Sequence, residues 1–377
     1  MTDLDWPFYE PHHREVAQWA DDWCAANPPD HGTDVDAACR ALVASLGATP
    51  LLQIVAPSDS DGYPVRSIAL VRERLAYHSG LADFAFAMQG LGLGPIVAAG
   101  SDEQTLEWGG KVARGEAIAA FALTEPETGS DAANIAMTGR RDGEDWALDG
   151  EKTYISNGTI ADFLTVFART GEGDGARGIS AFLVRGDAPG LSIAERIEVI
   201  APHPLARLRF AGVRAELIGQ PGKGFRIAMQ TLNVFRVGVG AAALGFARRA
   251  LDEAVAFSST RRLGAGTLAD NAVTQAKLAD MAVAIDSAAL LVARAAWQQY
   301  TQKRDNRCAA AMAKLHATEA AQQVIDAAVQ MHGGAGVTRG VKVEELYRDI
   351  RALRIYEGAS EVQRQIVARD LLKEHAG

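Results

Sequence analysis

Cysteine is scarce in this sequence: Cys24, Cys39 and Cys308 are the only three in 377 residues. They lie far apart with no CxxC spacing, which excludes a thiolate zinc site and a disulfide framework and fits a reducing compartment. Cationic side chains are in deficit, 38 Lys and Arg against 47 Asp and Glu, for a net charge of −9. With no surplus cations to neutralise phosphates, neither nucleic acid nor an anionic membrane is an expected partner. No uninterrupted run of about 18 apolar residues occurs, so membrane insertion is not expected. The stretch MTDLDWPFYEPHHREVAQWADDW is acidic and broken by prolines, unlike the basic start and apolar centre of a signal peptide. The expected localisation is cytoplasmic.

What is present is apolar: 48% hydrophobic residues with only 13 prolines supply two or three packed domains. Residues 1–118 read as an α-helical domain, with helical spacing in REVAQWADDWCA, VDAACRALVASL and IALVRERLAYHSGLADFAFAMQ. Residues 119–224 change to short β-prone runs, AIAAFALT, WALDGEKTYIS, FLTVFART, ISAFLV and ARLRFAGV, separated by Gly, Asp and Asn. Residues 225–377 return to long Ala-rich helical patterns and read as a helical bundle, with Gly333 and Gly334 stopping one helix.

Several patterns are set aside. GVGAAA (238–243) satisfies GxGxx[GA] but follows no strand and lacks the later acidic residue of a dinucleotide site, so its glycines read as packing positions. GLGLGP (90–95) reads as a helix break or turn. His12 and His13 read as surface histidines, and no metal site is expected.

FALTEPETGSD (121–131) is more informative, because a β run delivers Thr124 into a loop of hydroxyls and free amides suited to an anion or heterocycle. GEKTYISNG (150–158) is by itself a hairpin with an Asn-Gly turn. Paired with the first loop it forms a second wall of one flat pocket. In RIYEGASEVQR, Glu357 stands where the chain turns into a helix, and Ser360 and Gln363 have capping-box spacing.

A helical domain, a β domain with TEPETGSD and KTYISNG, then a helical domain with LADM, QMHGGAG, YRDIRALRIYEGASEVQR and VARDLL resemble the acyl-CoA dehydrogenase family of flavoenzymes. The resemblance runs from about residue 70 to the C-terminus. It implies an N-terminal helical domain, a middle β-barrel-like domain and a C-terminal four-helix bundle, with FAD as cofactor. Phe121, Leu123 and Thr124 would line the flavin, Thr124 bonding its pyrimidine edge, and Ser130 would reach the pyrophosphate. Tyr154 takes the place often held by Trp against the ring, and Ser156 that of the hydroxyl near flavin N5. Gln330 and Gly334 would contact the FAD of a neighbouring subunit, implying a homo-oligomer, a tetramer or a dimer. The family's RxxFG segment appears here as TRRLGAG, with Leu263 replacing Phe and one residue inserted, so Arg261 or Arg262 would reach the partner's pyrophosphate.

By the same resemblance Glu357 is the catalytic base. A minority of members place the base before the conserved Arg, where this chain has Phe235 followed by Arg236. Phe235, Arg236, Tyr356 and Gly358 would flank the substrate. The hydrogen α to a thioester is a weak acid, so its removal needs a desolvated carboxylate and stabilisation of the enolate oxygen. The implied reaction is α,β-dehydrogenation of an acyl-CoA to a trans-2-enoyl-CoA, with electron-transferring flavoprotein as acceptor. Phe235 narrows the expected acyl group to a short, branched or cyclic one. The alternatives are a flavin oxidase or monooxygenase on the same scaffold, and a non-catalytic subunit of a mixed oligomer.

Overall fold

Apolar residues three and four apart bury one face of α1 (His12–Ala26), through Val16, Ala17, Ala20, Trp23 and Cys24. In this computed structural model, residues 1–29, 32, 34–57, 62–301 and 306–376 are described. The Asp34 side chain caps α2 (Val35–Gly47), accepting the Ala37 N–H at 3.0 Å. Then follow α3 (Leu51–Ile54), α4 (Val65–His78), α5 (Gly80–Ala99) and the short α6 (Asp102–Gln104) and α7 (Gly110–Ala113).

The strands are β1 (Ala119–Ala122), β2 (Thr138–Asp142), β3 (Asp145–Ser156), β4 (Phe163–Arg169), β5 (Ile179–Arg185), β6 (Leu191–Arg196) and β7 (Leu205–Ile218). Their order is β1-β4-β2-β3-β7-β5, and β5 pairs back onto β4, so the sheet closes as a barrel, with β6 added on β7. Its interior is filled by Leu148, Leu164, Val166, Phe182, Leu208, Phe210 and Val213. After it come α8 (Gly224–Thr260), a hairpin of β8 (Arg262–Leu263) and β9 (Gly266–Thr267), α9 (Ala272–Thr301), α10 (Arg307–His332), α11 (Lys342–Leu353) and α12 (Ser360–Ala376).

The chain divides into two compact units. Unit 1 (Met1–Pro29, Val65–Asp83, Phe235–Gly377) is helical: α1 and α9 pack on α4, and α9, α11 and α12 on α10. Unit 2 (Asp30–Pro64, Phe84–Val234) contains the barrel with α2, α3, α6, α7 and most of α5. Helices α5 and α8 are long and apolar enough to cross a bilayer, yet 72% and 78% of their apolar windows are buried, which makes them core helices.

The structure corrects three local readings. GLGLGP does not break the helix: α5 runs through Gly90 to Pro95. The glycines instead permit close packing, since a Cβ on Gly92 would fall 2.6 Å from the Ala119 Cβ and one on Gly94 2.4 Å from the Thr231 Cγ2. GEKTYISNG is not a hairpin, because β3 pairs with β2 and β7 while β4 pairs with β1 and β5. Asn157 is buried, at φ +60°, and donates from Nδ2 to the Ala119 carbonyl at 2.9 Å. His13 is not a surface histidine: it is 1% exposed, its Nδ1 accepts the Glu10 N–H at 3.0 Å, and burial pushes its pKa down to about 4. Glu10, His12 and His13 do cluster, but Arg66 holds the Glu10 carboxylate at 2.9 Å.

The glycines of GVGAAA lie inside α8 and act as packing positions: a Cβ on Gly238 would sit 2.9 Å from the Arg72 Cδ and one on Gly240 3.0 Å from the Val292 Cγ2. Gly245 is tighter still, its added Cβ falling 2.2 Å from the Glu73 carbonyl oxygen. Backbone cannot rotate away as a side chain can, so Gly245→Ala is expected to cost about 1–3 kcal/mol through overpacking. Thermal denaturation checks this; an unchanged Tm would contradict it.

Candidate active site

Between α11 and α12 the chain makes a turn in which Glu357 has φ +53° and Gly358 φ +95°. Glycine adopts this region freely, whereas glutamate is strained in it and must be held. Three side chains hold it by its carbonyls. Arg236 Nε of α8 donates to the Glu357 carbonyl at 3.1 Å, and Lys314 Nζ of α10 to the Gly358 carbonyl at 2.8 Å. Gln363 Nε2 of α12 also donates to the Gly358 carbonyl at 2.8 Å. A Cβ at position 358 would fall 2.5 Å from the same Gln363 nitrogen. The expected capping box does not form, because Ser360 is already helical and its Oγ donates to Glu319 Oε1 at 2.6 Å.

Glu357 is half-buried as a residue, but both carboxylate oxygens are shielded from solvent and have no hydrogen-bond partner among the described residues. Its N–H likewise takes no partner among them. Burial pushes the Glu357 pKa up, while Arg72, Lys314 and Arg236 oppose that rise and Asp83 adds to it. Arg72 is neutralised by Asp83 in a buried bidentate pair, both contacts 2.8 Å, and its Nη1 has no partner among the described residues. Phe235 is fully buried, Arg236 is buried, and Tyr356 is 37% exposed. Sequence reasoning missed Arg72 and Lys314, which lie in separate helices and carry no local motif, and read Gln363 as a cap residue where it holds the Gly358 carbonyl.

A second set of candidates lies in unit 2. The N–H of Thr153 donates to the Thr124 carbonyl at 2.9 Å, joining the two flavin-type loops as neighbours. Lys152, fully buried, donates to the Leu123 carbonyl at 2.9 Å and to Glu125 Oε1 at 2.8 Å. Glu125 also accepts the N–H groups of Ala136 and Met137, at 2.6 and 3.0 Å. A register shift between Lys152 and Ile155 bulges β3, and Tyr154 sits there at φ +54° with 63% of its surface exposed. Phe121 packs on Phe167 at 5.0 Å between ring centres, and Leu123 is buried. The hydroxyls of Thr124, Ser130 and Ser156 have no hydrogen-bond partner among the described residues. The opposite charges in TEPETGSD and EKTYISN were the overlooked sequence signal for the Glu125–Lys152 tie.

Arg261, Gln330 and Gly334 are exposed and belong to unit 1. The ring of Phe257 stacks on His332 at 4.3 Å, fastening the end of α8 to the end of α10. Gly333, at φ +59°, terminates α10 there.

The acyl-CoA dehydrogenase middle-domain model matches residues 120–213 and the C-terminal-domain model residues 222–372. The short-chain specific acyl-CoA dehydrogenase, mitochondrial, of Bos taurus is 39% identical over 343 residues, covering 89% of this chain and 83% of the bovine protein. The chain belongs to the acyl-CoA dehydrogenase family. A 3-(aryl)acrylate reductase of Clostridium sporogenes is 34% identical, over 97% of this chain and 100% of its own. An acyl-CoA dehydrogenase complexed with FAD from Bacillus anthracis has a TM-score of 0.90 at 27% identity, covering 100% of this chain and 68% of that one.

This acyl-CoA dehydrogenase family member is therefore an oxidoreductase, and its cofactor is FAD. Its residues fit that group: unit 2 presents an aromatic face at Tyr154 held out by a bulge, with unpartnered hydroxyls on Thr124, Ser130 and Ser156. Those are the donors and the flat apolar contact that a heterocycle with polar edges requires. Because Lys152 ties both loops, Lys152→Met would leave the buried Glu125 with two backbone N–H bonds but no cation, at a cost of about 3 kcal/mol. Chemical denaturation together with the flavin absorbance per chain checks this; full stability and full flavin content in the variant would refute the tie.

Proposed function

We propose that this family member removes the α-proton of an acyl-CoA thioester with Glu357 and releases a trans-2-enoyl-CoA. The observation that carries the reading is the Glu357 carboxylate itself, shielded from water, without a hydrogen-bond partner among the described residues, on a turn whose carbonyls are gripped from three helices. A desolvated carboxylate is a stronger base than a hydrated one, and the positive charges of Arg72, Lys314 and Arg236 keep its ionised form within reach.

The same grip leaves the Glu357 N–H free to receive the thioester oxygen as negative charge develops on it. Gly358, lacking a Cβ, lets that group approach the main chain. When bound, FAD supplies the acceptor for the hydride that leaves the β carbon. Thr124, Ser130, Tyr154 and Ser156 would bind and orient it, and Arg261, Gln330 and Gly334 would reach the cofactor of a second copy of the chain in a homo-oligomer. Electron-transferring flavoprotein is the proposed reoxidant. A short acyl group is favoured by the likeness to a short-chain specific enzyme and by the bulk of Phe235 beside Arg236.

The full-length likeness to an arylacrylate reductase favours one second reading, the same residues run backward. Glu357, its pKa raised by burial, would then hand a proton to the α carbon of an unsaturated substrate. Arylacrylic compounds supplied with a reduced dye discriminate the two directions.

Glu357→Gln is expected to keep FAD and the fold while losing about 10²- to 10⁴-fold in flavin reduction by acyl-CoA, as for loss of a general base. Anaerobic flavin bleaching with a panel of acyl-CoA esters reads this, and normal turnover in the variant would sink the assignment. Below its pKa the base already holds a proton, so kcat/KM must rise with pH through a limb above the ordinary glutamate value of about 4.3. A limb at or below that value contradicts the buried-base reading. Oxygen uptake without an added acceptor would turn the reading to an oxidase.

A further inference from the structure

Two lysines among the described residues are fully buried, and they are treated differently. Lys152 has a carboxylate at 2.8 Å, that of Glu125. Lys314 has a hydrogen bond to the Gly358 carbonyl, also at 2.8 Å, and no carboxylate of a described residue within ion-pair distance. Other acids nearby are committed elsewhere. Glu319 is bound by Arg354 at 2.8 Å and by Ser360 at 2.6 Å, and Asp83 is neutralised by Arg72 at 2.8 Å.

Burying an ammonium on a single neutral hydrogen bond is unfavourable unless a negative potential surrounds it. The charge that faces Lys314 most strongly is Glu357. Desolvation pushes the Lys314 pKa down to about 8 against that attraction. The charges that bear on Glu357 are the Arg72–Asp83 pair of α4 and α5, Arg236 of α8 and Lys314 of α10; Lys314 also feels Glu319 of α10 and Glu361 of α12, and the neighbouring Tyr356 feels Asp349 of α11.

We propose that Lys314 is the positioning residue for Glu357: its ammonium fixes the Glu357–Gly358 turn through the Gly358 carbonyl and places uncancelled positive charge beside the Glu357 carboxylate. This rests on the reading of Glu357 as the base. The two contributions are separable by chemistry, since a neutral amide can still donate to the carbonyl but brings no charge.

The test uses the FAD-loaded enzyme with Lys314→Met, Lys314→Gln and Glu357→Gln beside the natural chain. Flavin reduction by a four-carbon acyl-CoA is followed anaerobically across pH, with flavin content and Tm for each variant. Loss of an adjacent cation favours the protonated carboxyl, so the acid limb should move to higher pH by about one to three units in both lysine variants. Lys314→Met should lose about 10²-fold in rate at neutral pH, as for a misplaced reacting group, and Lys314→Gln should lose less because it still donates. An acid limb unmoved in both overturns the proposal, whatever happens to Tm. If Lys314→Met does not fold, the limb of Lys314→Gln decides alone. A Glu357→Gln enzyme that bleaches its flavin at the natural rate brings down the base reading instead, and no lysine variant can produce that result.

Discussion

Keeping an ionisable carboxylate away from water sets the terms for unit 1. Removing such a group from solvent makes it basic, and also makes its charged form expensive to keep. The chain meets this by surrounding Glu357 with Arg72, Lys314 and Arg236 while denying the carboxylate a direct hydrogen bond from any described residue. Both a direct bond and nearby positive charge favour the ionised form; the chain uses the charges alone, which leaves the carboxylate oxygens unoccupied. Much of the surrounding packing follows. Arg72 needs Asp83 to be tolerable in the interior, and Gly238 must lack a Cβ because one would press to 2.9 Å from the Arg72 Cδ.

The strain in the turn is of the same order as what restrains it. A non-glycine residue in the left-handed region costs about 1–3 kcal/mol. Each of the bonds from Arg236, Lys314 and Gln363 contributes about 0.5–1.5 kcal/mol, and more where the donor is charged. Three such bonds, two of them from charged donors, therefore suffice to offset the strain. Unit 2 shows a comparable arrangement on a different scaffold: Tyr154 is held in a strained, exposed conformation next to loops fastened by the buried Lys152–Glu125 pair. In both places the reactive or binding group is unsatisfied and the backbone behind it is tied down.

Much of this was legible in the sequence where the signal is local. The helix–β–helix order and the glycine stop after His332 were read from composition and punctuation, and the barrel was implied by the resemblance. β2 and β6 were not, because TGRRD and LSIAER carry almost no buried side chains and exist as strands only through their partners. Gly92 and Gly94 misled for the opposite reason: glycine marks a turn and a tight contact equally well, and only the position of Ala119 and Thr231 decides between them. Ser360 and Gln363 had the spacing of a cap, but Ser360 bonds Glu319 on another helix and Gln363 bonds the Gly358 carbonyl in the preceding turn. Lys314 is invisible in its own helix, where it looks like an ordinary solvated lysine until the Gly358 carbonyl is brought to it.

The three bonds that steady residue 357 fall on main-chain oxygens and none falls on its side chain. The holder is thus blind to what it holds. A different side chain at this place would meet the same three bonds on the main chain. Such a socket separates backbone posture from side-chain reactivity, within the limit that buried Lys314 and Arg236 face whatever charge stands there.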